Sequence, residues 1–319
     1  MLLPPLHRCP ADLLARDLTG TTVLITGGCG GVGLATAKQL ADQKATVVIT
    51  GRDAAKGEAA AAEIGATYLH LDNADTASVE AGAAKFLEAH AALHVLMCNA
   101  AVMKPGAPDS KAASKRVGEG GWEVQMATNY LGHALLIERL LPLLKKTGGA
   151  RIVNVSSCAA TWMPMAQPDM ADVDLDDPHW KTRPYDDANA YASTKLSQVL
   201  YTRELAAQLK EEESDVKVVA LHPGWVNSGL ARHEPFIMRV IQSCIGPFLG
   251  LIKNPDGAQV PLFCCLSPKI ESGLFYSQFG MYGDKQMQPG GLPCVFINPN
   301  ATDEKQKKVW AWTRAELGL

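Results

Sequence analysis

From Thr19 onward, the chain alternates short apolar runs with segments of helical periodicity. The apolar runs are rich in β-branched residues, which is typical of buried strands. They predict strands at 22–26, 46–50, 67–71, 95–98, 151–156, 217–222 and 274–276. The patterns between them predict helices at 34–43, 54–64, 77–89, 122–146 and 190–212. Because strand and helix alternate, we expect a single α/β domain with a Rossmann-type, doubly wound parallel sheet.

Residues outside this alternation suggest how the chain is organised. Residues 1–17 are interrupted by prolines and are expected to form an N-terminal arm on a domain of residues 18–319. Insertions in such sheets commonly lie over the carboxyl edge, so three segments are expected to cover the substrate, with solvated loops as the alternative. These segments lie near 104–121, 158–189 and 225–256. The apolar stretch 236–252 is compatible with a substrate lid, a dimer contact or a membrane contact.

A glycine-rich turn follows the first predicted strand and leads directly into a helical pattern. Its candidate cofactor contacts are Thr26, Gly27, Gly28, Gly30, Gly31, Val32 and Gly33. Glycines let the backbone approach a pyrophosphate, whose charge is met by N–H groups at the helix N-terminus. A structural loop could have the same composition, but the position between a strand and a helix favours dinucleotide binding.

The end of the second predicted strand indicates which dinucleotide is bound. Sites for NAD usually place a carboxylate there to accept the ribose hydroxyls, whereas the 2'-phosphate of NADP needs a cation. Here Gly51 occupies the carboxylate's place, and Arg52 follows with a planar guanidinium suited to phosphate. The sequence therefore predicts NADP(H) over NAD(H), with a solvated surface arginine as the alternative.

Two further strand ends carry candidate cofactor contacts. Asp72 and Asn73 follow the third strand, where the Asp72 carboxylate is expected to meet the adenine edge or, alternatively, to cap the next helix. Asn99, Ala100 and Ala101 follow the fourth strand. Small residues there would let the strand end lie flat beneath a cofactor.

Four residues form the candidate catalytic set. Tyr191 and Lys195 are four residues apart on a predicted helix, so both side chains project from one face. An ammonium beside a phenol lowers the phenol pKa, which allows the pair to transfer a proton. Ser157 follows a strand that ends at the same edge, where its hydroxyl can polarise a carbonyl. Asn129 lies mid-helix, and we expect its amide to be paired through a water chain to Lys195, with a local kink satisfied by the backbone alone as the alternative.

These residues resemble the motifs of the short-chain dehydrogenase/reductase family, and the resemblance covers residues 18–319. The motifs are T-G-x-x-x-G-x-G from Thr26 to Gly33, Asn99–Ala100, Asn129, Ser157, Y-x-x-x-K from Tyr191 to Lys195, and Pro223–Gly224. Each motif alone is weak, but all of them occur in the family's order. The long interval from Ser157 to Tyr191 resembles the interval in one branch of the family, which contains retinol dehydrogenases, WW-domain oxidoreductase and protochlorophyllide reductase.

The resemblance implies hydride transfer between a nicotinamide and a carbonyl carbon, with Tyr191 giving or taking the hydroxyl proton. It implies that Lys195 binds the nicotinamide ribose and lowers the pKa of Tyr191. It further implies that Ser157 orients the carbonyl and that Asn129 anchors a water relay. With NADPH as the reductant, the expected direction is carbonyl reduction, on a hydrophobic substrate such as a retinoid, a steroid, a lipid aldehyde or a xenobiotic ketone.

Further cofactor contacts come from the resemblance alone. Pro223, Gly224 and Val226 are carried over as contacts of the nicotinamide end. Two positions depart from the usual motifs: Cys98 replaces the first asparagine of N-N-A-G, and the hydroxyl residue expected soon after Pro-Gly falls only at Ser228.

Two other functions remain open. One is a carbon–carbon double-bond reductase similar to protochlorophyllide reductase, which could use the same tyrosine and lysine. The other is a catalytically silent NADP-binding sensor or scaffold. A silent protein would be expected to have a broken catalytic set, so the intact set favours an enzyme.

Composition limits the partners. The formal net charge of −3 and the lack of a basic stripe argue against nucleic acid, and the expected partner is a small carbonyl or alcohol substrate. The 8 cysteines show neither C-x-x-C pairs nor zinc spacing, so we expect reduced thiols, no metal and a cytoplasmic location. We expect no transmembrane span, although peripheral membrane contact is possible. A monomer and a homodimer are equally compatible with the sequence.

Overall fold

The computed structural model describes residues 6–103, 116–117, 121–161, 170–227, 251–278, 296 and 298–319, with backbone only at 116–117. Its strands are β1 Thr22–Thr26, β2 Thr46–Gly51, β3 Thr67–His70, β4 Val95–Cys98, β5 Arg116–Val117, β6 Trp122–Glu123, β7 Arg151–Val155, β8 Lys217–His222 and β9 Phe275–Ser277. Its α-helices are α1 Ala11–Leu14, α2 Gly31–Asp42, α3 Ala54–Ile64, α4 Thr76–Ala89, α5 Val124–Met126, α6 Gly132–Thr147, α7 Asp187–Glu211, α8 Asn254–Gly257, α9 Gln259–Leu266 and α10 Asp303–Leu317. A π-helical segment spans Ala127–Leu131, and a 3-10 turn spans Cys158–Ala160.

The main sheet is parallel, with strand order β3-β2-β1-β4-β7-β8-β9. The chain winds outward in one direction from β1 to β3 and in the other from β4 to β9. Because the direction reverses between β1 and β4, a crevice opens there at the carboxyl ends of the strands. The predicted Rossmann-type doubly wound fold is confirmed.

Hydrophobic cores lie on both faces of the sheet. Alternate residues of a strand point to opposite faces, so Leu24 of β1 joins one core while Val23 and Ile25 join the other. The first core packs against α4, α6, α7 and α10, and the second against α2, α3 and α9. Both faces of the strands are therefore buried, as expected of a parallel sheet.

The segment predicted as one helix at 122–146 is built differently. It begins with β6, continues through α5 and the π-helical segment, and becomes regular only in α6. The wider turn falls on Asn129. Single π turns of this kind often occur at functional sites, and residue periodicity alone does not distinguish them from an ordinary α-helix.

The N-terminal residues pack on the second face of the sheet. Cys9 and Leu13 are buried in the second core, and Gln43 donates a 2.8 Å hydrogen bond to the Leu13 carbonyl. Arg16 donates at 3.1 Å to the carbonyl of Leu266 in α9. In the part of the chain that the structure describes, no helix is long and apolar enough to span a membrane.

The three segments expected to cover the substrate are only partly described. Most of 104–121 and all of 228–250 lie outside the described residues, and so does 162–169. Where the chain is described, Ala171 N donates to Thr161 O at 2.9 Å, and Val226 pairs with Ile252. The residues on either side of 162–169 are therefore paired with each other, and so are residues close to either side of 228–250.

Candidate active site

Tyr191 and Lys195 lie one turn apart near the start of α7, where they are only 5% and 1% exposed. Asp186 caps this helix, because its carboxylate accepts hydrogen bonds of 3.0 Å from the backbone N–H groups of Ala188 and Asn189. The Lys195 ammonium nitrogen lies 5.6 Å from the centre of the Tyr191 ring. The helix thus places the phenol and the ammonium side by side.

Ser157 follows β7 and meets the same tyrosine. Its hydroxyl lies close enough to the Tyr191 phenol to lower the pKa of that phenol. The Ser157 oxygen also accepts a 3.2 Å hydrogen bond from Ala159 N, which begins the 3-10 turn. Parallel strands end at one edge, and α7 packs against that turn and against β7, so the hydroxyl, phenol and ammonium lie in one cluster.

Burial dominates the ionisation of this cluster. Desolvation raises the pKa of Tyr191 far above its usual value, and the nearby Ser157 hydroxyl offsets only part of that rise. Burial also lowers the pKa of Lys195 to about 7. Both groups are therefore displaced toward their neutral forms. A phenolate can form here only if a neighbouring positive charge stabilises it, and the Lys195 ammonium is placed to do so.

Lys195 is held by two neutral oxygens. Its ammonium donates to the carbonyl of Val155 at 2.9 Å and to Oε1 of Gln198 at 3.0 Å. Gln198 was not selected by the sequence analysis. The signal available was its spacing of three residues from Lys195 on one helix, which places both side chains on the same face.

Asn129 lies in the π-helical segment and is fully buried. Its Oδ1 accepts from Val102 N at 2.8 Å, and its Nδ2 donates to Val102 O at 3.0 Å and to Thr194 Oγ1 at 3.1 Å. The sequence analysis paired this amide with Lys195 through water, whereas its direct partners in the structure are Val102 and Thr194. The role of Asn129 in a proton relay stays a prediction.

His133 connects this helix to the glycine turn. Its Nδ1 donates to the Asn129 carbonyl at 2.9 Å, and its Nε2 accepts from the Thr26 hydroxyl at 2.8 Å. We assign this tautomer because the Thr26 oxygen already accepts the backbone N–H groups of Asn99 at 2.8 Å and Ala100 at 3.0 Å. Burial lowers the pKa of His133 to about 4, so the ring is neutral near pH 7. The sequence analysis did not select His133 for this role.

The glycine turn is closely packed against the end of β4. A Cβ at Gly27, where φ is +63°, would lie 2.8 Å from the Ala100 Cα. A Cβ at Gly33 would lie 2.5 Å from the Asn99 amide nitrogen. Glycine is therefore required at both positions. The remaining predicted residues of the turn are Gly28, Gly30, Gly31 and Val32, and α2 begins at Gly31 with its first N–H groups able to meet an anion.

Cations lie near the same turn. Arg52 follows β2 and is exposed. Lys56 lies in α3, and its ammonium nitrogen would be 3.5 Å from a Cβ placed on Gly30. Asp53 directs this helix by capping it, accepting from Lys56 N at 3.1 Å. The strand pattern predicts Arg52 but not Lys56, because Lys56 comes near the turn only when α3 folds back along the sheet.

The residues after β3 differ from one expectation. Asp72 does not cap α4, because Asp75 is the N-cap and accepts from Ala77 N at 3.0 Å. Asp72 instead accepts a 3.0 Å hydrogen bond from Ala74 N within its own turn. Asn73 is only 5% exposed. A cofactor contact at either residue remains a prediction.

The remaining predicted contacts follow β4 and β8. Ala101 continues the β4 end after Asn99 and Ala100. Pro223 and Gly224 follow β8, and Val226 is bridged to Ile252. Ser228 lies outside the described residues. The structure therefore brings the predicted contacts to one edge of the sheet, at the ends of β1, β2, β3, β4 and β8.

Comparison with known proteins agrees with this arrangement. Residues 21–168 match the family model described as short chain dehydrogenase. Retinol dehydrogenase 12 of Bos taurus is 39% identical over 98% of this chain and 90% of its own length. A crystal structure of a putative uncharacterized protein from Mycobacterium Paratuberculosis has a TM-score of 0.70, with 28% identity and 94% coverage of both chains. The 3-ketoacyl-(acyl-carrier-protein) reductase of Brucella melitensis, complexed with NADH, has a TM-score of 0.61, with 26% identity over 82% of this chain and 97% of that chain.

Fold, site and relatives together define an oxidoreductase that uses a nicotinamide cofactor to interconvert a carbonyl and an alcohol. The chain belongs to the short-chain dehydrogenase/reductase family, in its retinol dehydrogenase-like branch. The predicted family resemblance is confirmed.

Proposed function

We propose that this protein is an NADPH-dependent reductase of hydrophobic ketones or aldehydes. The observation that carries the proposal is the cluster of buried Tyr191 and Lys195 with half-buried Ser157 at the carboxyl edge of the sheet. This edge also carries the glycine turn. A proton donor and a dinucleotide cradle on one crevice are what carbonyl reduction by a nicotinamide requires.

The glycine turn fits the pyrophosphate of the cofactor. Gly27 and Gly33 let the turn pack closely against the end of β4, and the N-terminus of α2 that follows would meet the negative charge. Arg52 and Lys56 supply cations for a 2'-phosphate, and Gly51 supplies no carboxylate that would repel it. The other proposed contacts are Thr26, Gly28, Gly30, Gly31, Val32, Asp72, Asn73, Asn99, Ala100, Ala101, Tyr191, Lys195, Pro223, Gly224 and Val226.

Each residue of the cluster has a definite chemical task. When bound, the cofactor supplies the hydride. Tyr191 donates its phenolic proton to the substrate oxygen as that oxygen becomes an alkoxide, while the Ser157 hydroxyl donates a hydrogen bond to the same oxygen. The Lys195 ammonium stabilises the phenolate that remains, and it would also hold the ribose hydroxyls of a bound cofactor. Asn129, in the adjoining π turn, orders the path by which the proton is replaced.

The proposed substrate class is hydrophobic. Residues 236–252 are rich in large apolar side chains, and this segment follows the strand end at Pro223 and Gly224. The curated relatives named as retinol dehydrogenases support a retinoid-like carbonyl compound in particular. Retinal therefore heads the substrates to test, followed by steroid ketones and aliphatic aldehydes.

The test is NADPH oxidation followed by absorbance with these substrates, for the wild-type protein and Tyr191→Phe. We expect turnover by the wild type and a loss of at least about 100-fold in kcat for the variant, because the proton donor is removed. NADPH binding, measured by fluorescence titration, should change little.

Tyr276→Phe is the matched control, because the Tyr276 hydroxyl lies away from the cluster and accepts a 2.8 Å hydrogen bond from Glu271 N. It should retain wild-type kcat. Full activity of Tyr191→Phe would show that the assigned proton donor is wrong. Tight NADPH binding by the wild type, without turnover of any carbonyl compound, would count against the proposed reaction.

A further inference from the structure

Gln198 is buried beside the lysine of the cluster. Its side chain lies on α7, three residues after Lys195, and only 2% of the residue is exposed. A primary amide that loses its water needs a hydrogen-bond partner, because a buried unpaired polar group costs about 1–3 kcal/mol. Its oxygen finds that partner in the Lys195 ammonium, at 3.0 Å.

The ammonium is directed by two acceptors on different elements. One is Gln198 Oε1 on α7, and the other is the carbonyl of Val155 at the end of β7, at 2.9 Å. An ammonium has three N–H donors, so these two bonds leave one donor for the crevice. If Gln198 were apolar, the Lys195 ammonium would be held by the Val155 carbonyl alone. The lysine side chain could then rotate about its own bonds and move the ammonium.

The amide and the ammonium orient each other. Among the described residues, Gln198 Nε2 has no hydrogen-bond acceptor. A flipped amide would turn this NH2 group toward the ammonium and oppose two donors. The bond to Lys195 therefore determines the amide orientation, and the oriented amide in turn holds Lys195.

The surroundings show why a neutral acceptor matters. Lys195 is fully buried, and its pKa is lowered to about 7 by burial. The His133 ring on α6 is neutral near pH 7 and places no lasting charge beside it. A carboxylate in place of the amide would keep Lys195 protonated over a wider pH range, whereas the amide holds the ammonium and leaves it able to titrate. The titratable side chains around the pair are Tyr191 on the same helix, Cys158 beside Tyr191, His133, and the phenols Tyr130 and Tyr201, which line a small gap with His133 and Gln198.

We propose that Gln198 is a positioning residue that holds the Lys195 ammonium toward Tyr191 and the crevice through a neutral hydrogen bond. The inference rests on the proposed function, in which Lys195 supports proton transfer by Tyr191. Gln198 itself touches neither the substrate nor the cofactor in this proposal.

Two substitutions of opposite effect test it. In Gln198→Glu a carboxylate replaces the amide at the same length, so the pKa of Lys195 should rise by about 1 unit or more. In Gln198→Leu the acceptor is lost, so the pKa should fall by about 1 unit. The pKa is measured from the 13C NMR signal of the lysine Cε in protein labelled with 13C-lysine, assigned with Lys195→Met.

Gln208→Leu is the matched control. Gln208 lies on the same helix and donates to Glu204 at 3.0 Å, so its loss should leave the Lys195 titration unchanged. A purely structural role for Gln198 would lower the melting temperature and leave the Lys195 pKa as in the wild type, and that result would overturn the proposal. If Gln198→Leu does not fold, Gln198→Met replaces it, because Met keeps the length of the side chain and removes the amide acceptor.

The NMR titration does not require turnover, which separates the two proposals. If the wild type reduces no carbonyl compound while the Lys195 pKa moves in opposite directions in the two variants, the proposed reaction fails and the positioning role stands. If the enzyme is active, the pH dependence of kcat/KM should shift upward in Gln198→Glu and downward in Gln198→Leu. An active enzyme whose pH profile is the same in all three proteins would contradict the positioning role.

Discussion

At the scale of single residues, burial changes chemistry more than residue type does. A solvent-exposed tyrosine and lysine four residues apart would both titrate near pH 10. In this structure the pKa of Lys195 falls to about 7 while that of Tyr191 rises. Each group is less easily charged alone, so the charged pair depends on mutual stabilisation, and any titration observed belongs to the pair.

The proposed preference for NADPH rests on single side chains. We expect Arg52→Asp to lower the ratio of kcat/KM for NADPH over NADH by roughly 10- to 100-fold, since a charge-assisted hydrogen bond to phosphate is lost and repulsion replaces it. The introduced carboxylate would also accept the ribose hydroxyls of NADH. Steady-state kinetics with both cofactors measures the change.

Lys56→Ala should lower the ratio of kcat/KM for NADPH over NADH by a smaller factor than Arg52→Asp. Lys56 lies near Gly30 of the glycine turn, whereas Arg52 directly follows β2, and the alanine adds no repulsive charge. Lys85→Asp is the control for Arg52→Asp, because it makes the same change of charge on an exposed residue of α4. It should keep the wild-type ratio of kcat/KM for the two cofactors. An unaltered ratio in Arg52→Asp would mean that the 2'-phosphate is read by other residues.

At the scale of elements, three backbone segments are joined through one histidine. His133 bonds to Thr26 at the end of β1 and to Asn129 in the π-helical segment, and the Thr26 hydroxyl oxygen accepts from Asn99 N and Ala100 N at the end of β4. None of the three carries a charge that would hold it to the others. The neutral ring therefore links the glycine turn to the helix that carries Asn129.

Replacing this ring should loosen the link. His133→Leu leaves the Thr26 hydroxyl with only the longer of its two acceptors, the Met97 carbonyl at 3.4 Å, and the Asn129 carbonyl without its side-chain donor. The free energy of unfolding should therefore fall by about 1–3 kcal/mol. Chemical denaturation measures the fall. Thr36→Val, which removes a local 2.9 Å bond to Val32 O within α2, should cost about 1 kcal/mol or less.

The same residue predicts a pH dependence. The folded pKa of His133 is about 4, against an ordinary value of 6.5, so the unfolded chain binds the proton first as pH falls. Its contribution to stability is present above pH 6.5 and is lost between pH 6.5 and about 4. His133→Leu should therefore weaken the acid dependence of unfolding in this window, and an unchanged dependence would rule out the assigned neutral state.

At the scale of the whole molecule, the C-terminal helix closes the first core. In α10, Val309 is fully buried, and Thr313 bonds at 2.5 Å to the Tyr130 hydroxyl. The Trp310 ring lies 5.0 Å from that of Tyr201 on α7, the helix of the cluster. The last residues of the chain thus support the element that carries Tyr191 and Lys195.

Weakening the packing of α10 should lower the free energy of unfolding more than it lowers kcat. Val309→Ala should lower the free energy of unfolding by about 1.5–3 kcal/mol through lost burial and a cavity. Lys307→Ala, on the exposed side of the same helix, should stay within about 0.5 kcal/mol of the wild type. Equal stability of the two variants would mean that α10 is not part of the cooperative core.

Much of the fold was predictable because strands and helices depend on local periodicity. The predicted bounds of β1, α3, β4 and β8 match the structure, since turn residues and apolar runs mark them clearly. The π turn at Asn129 was not predicted, because one wider turn changes the register without changing composition. The alternative prediction that Asp72 caps α4 was wrong. Asp72 and Asp75 are both aspartates, and Asp75 directly precedes the helix and caps it.

By itself, the sequence determined the order of elements and the glycine turn, because both depend on residue type and local periodicity. It also predicted a candidate catalytic set of Asn129, Ser157, Tyr191 and Lys195 from their motifs. Only the tertiary structure decided which distant residues meet. Lys56 reaches the glycine turn, His133 reaches Thr26, and the amide of Asn129 reaches Val102. These contacts arise from the packing of helices on the sheet, and such packing leaves no periodic signal along the chain.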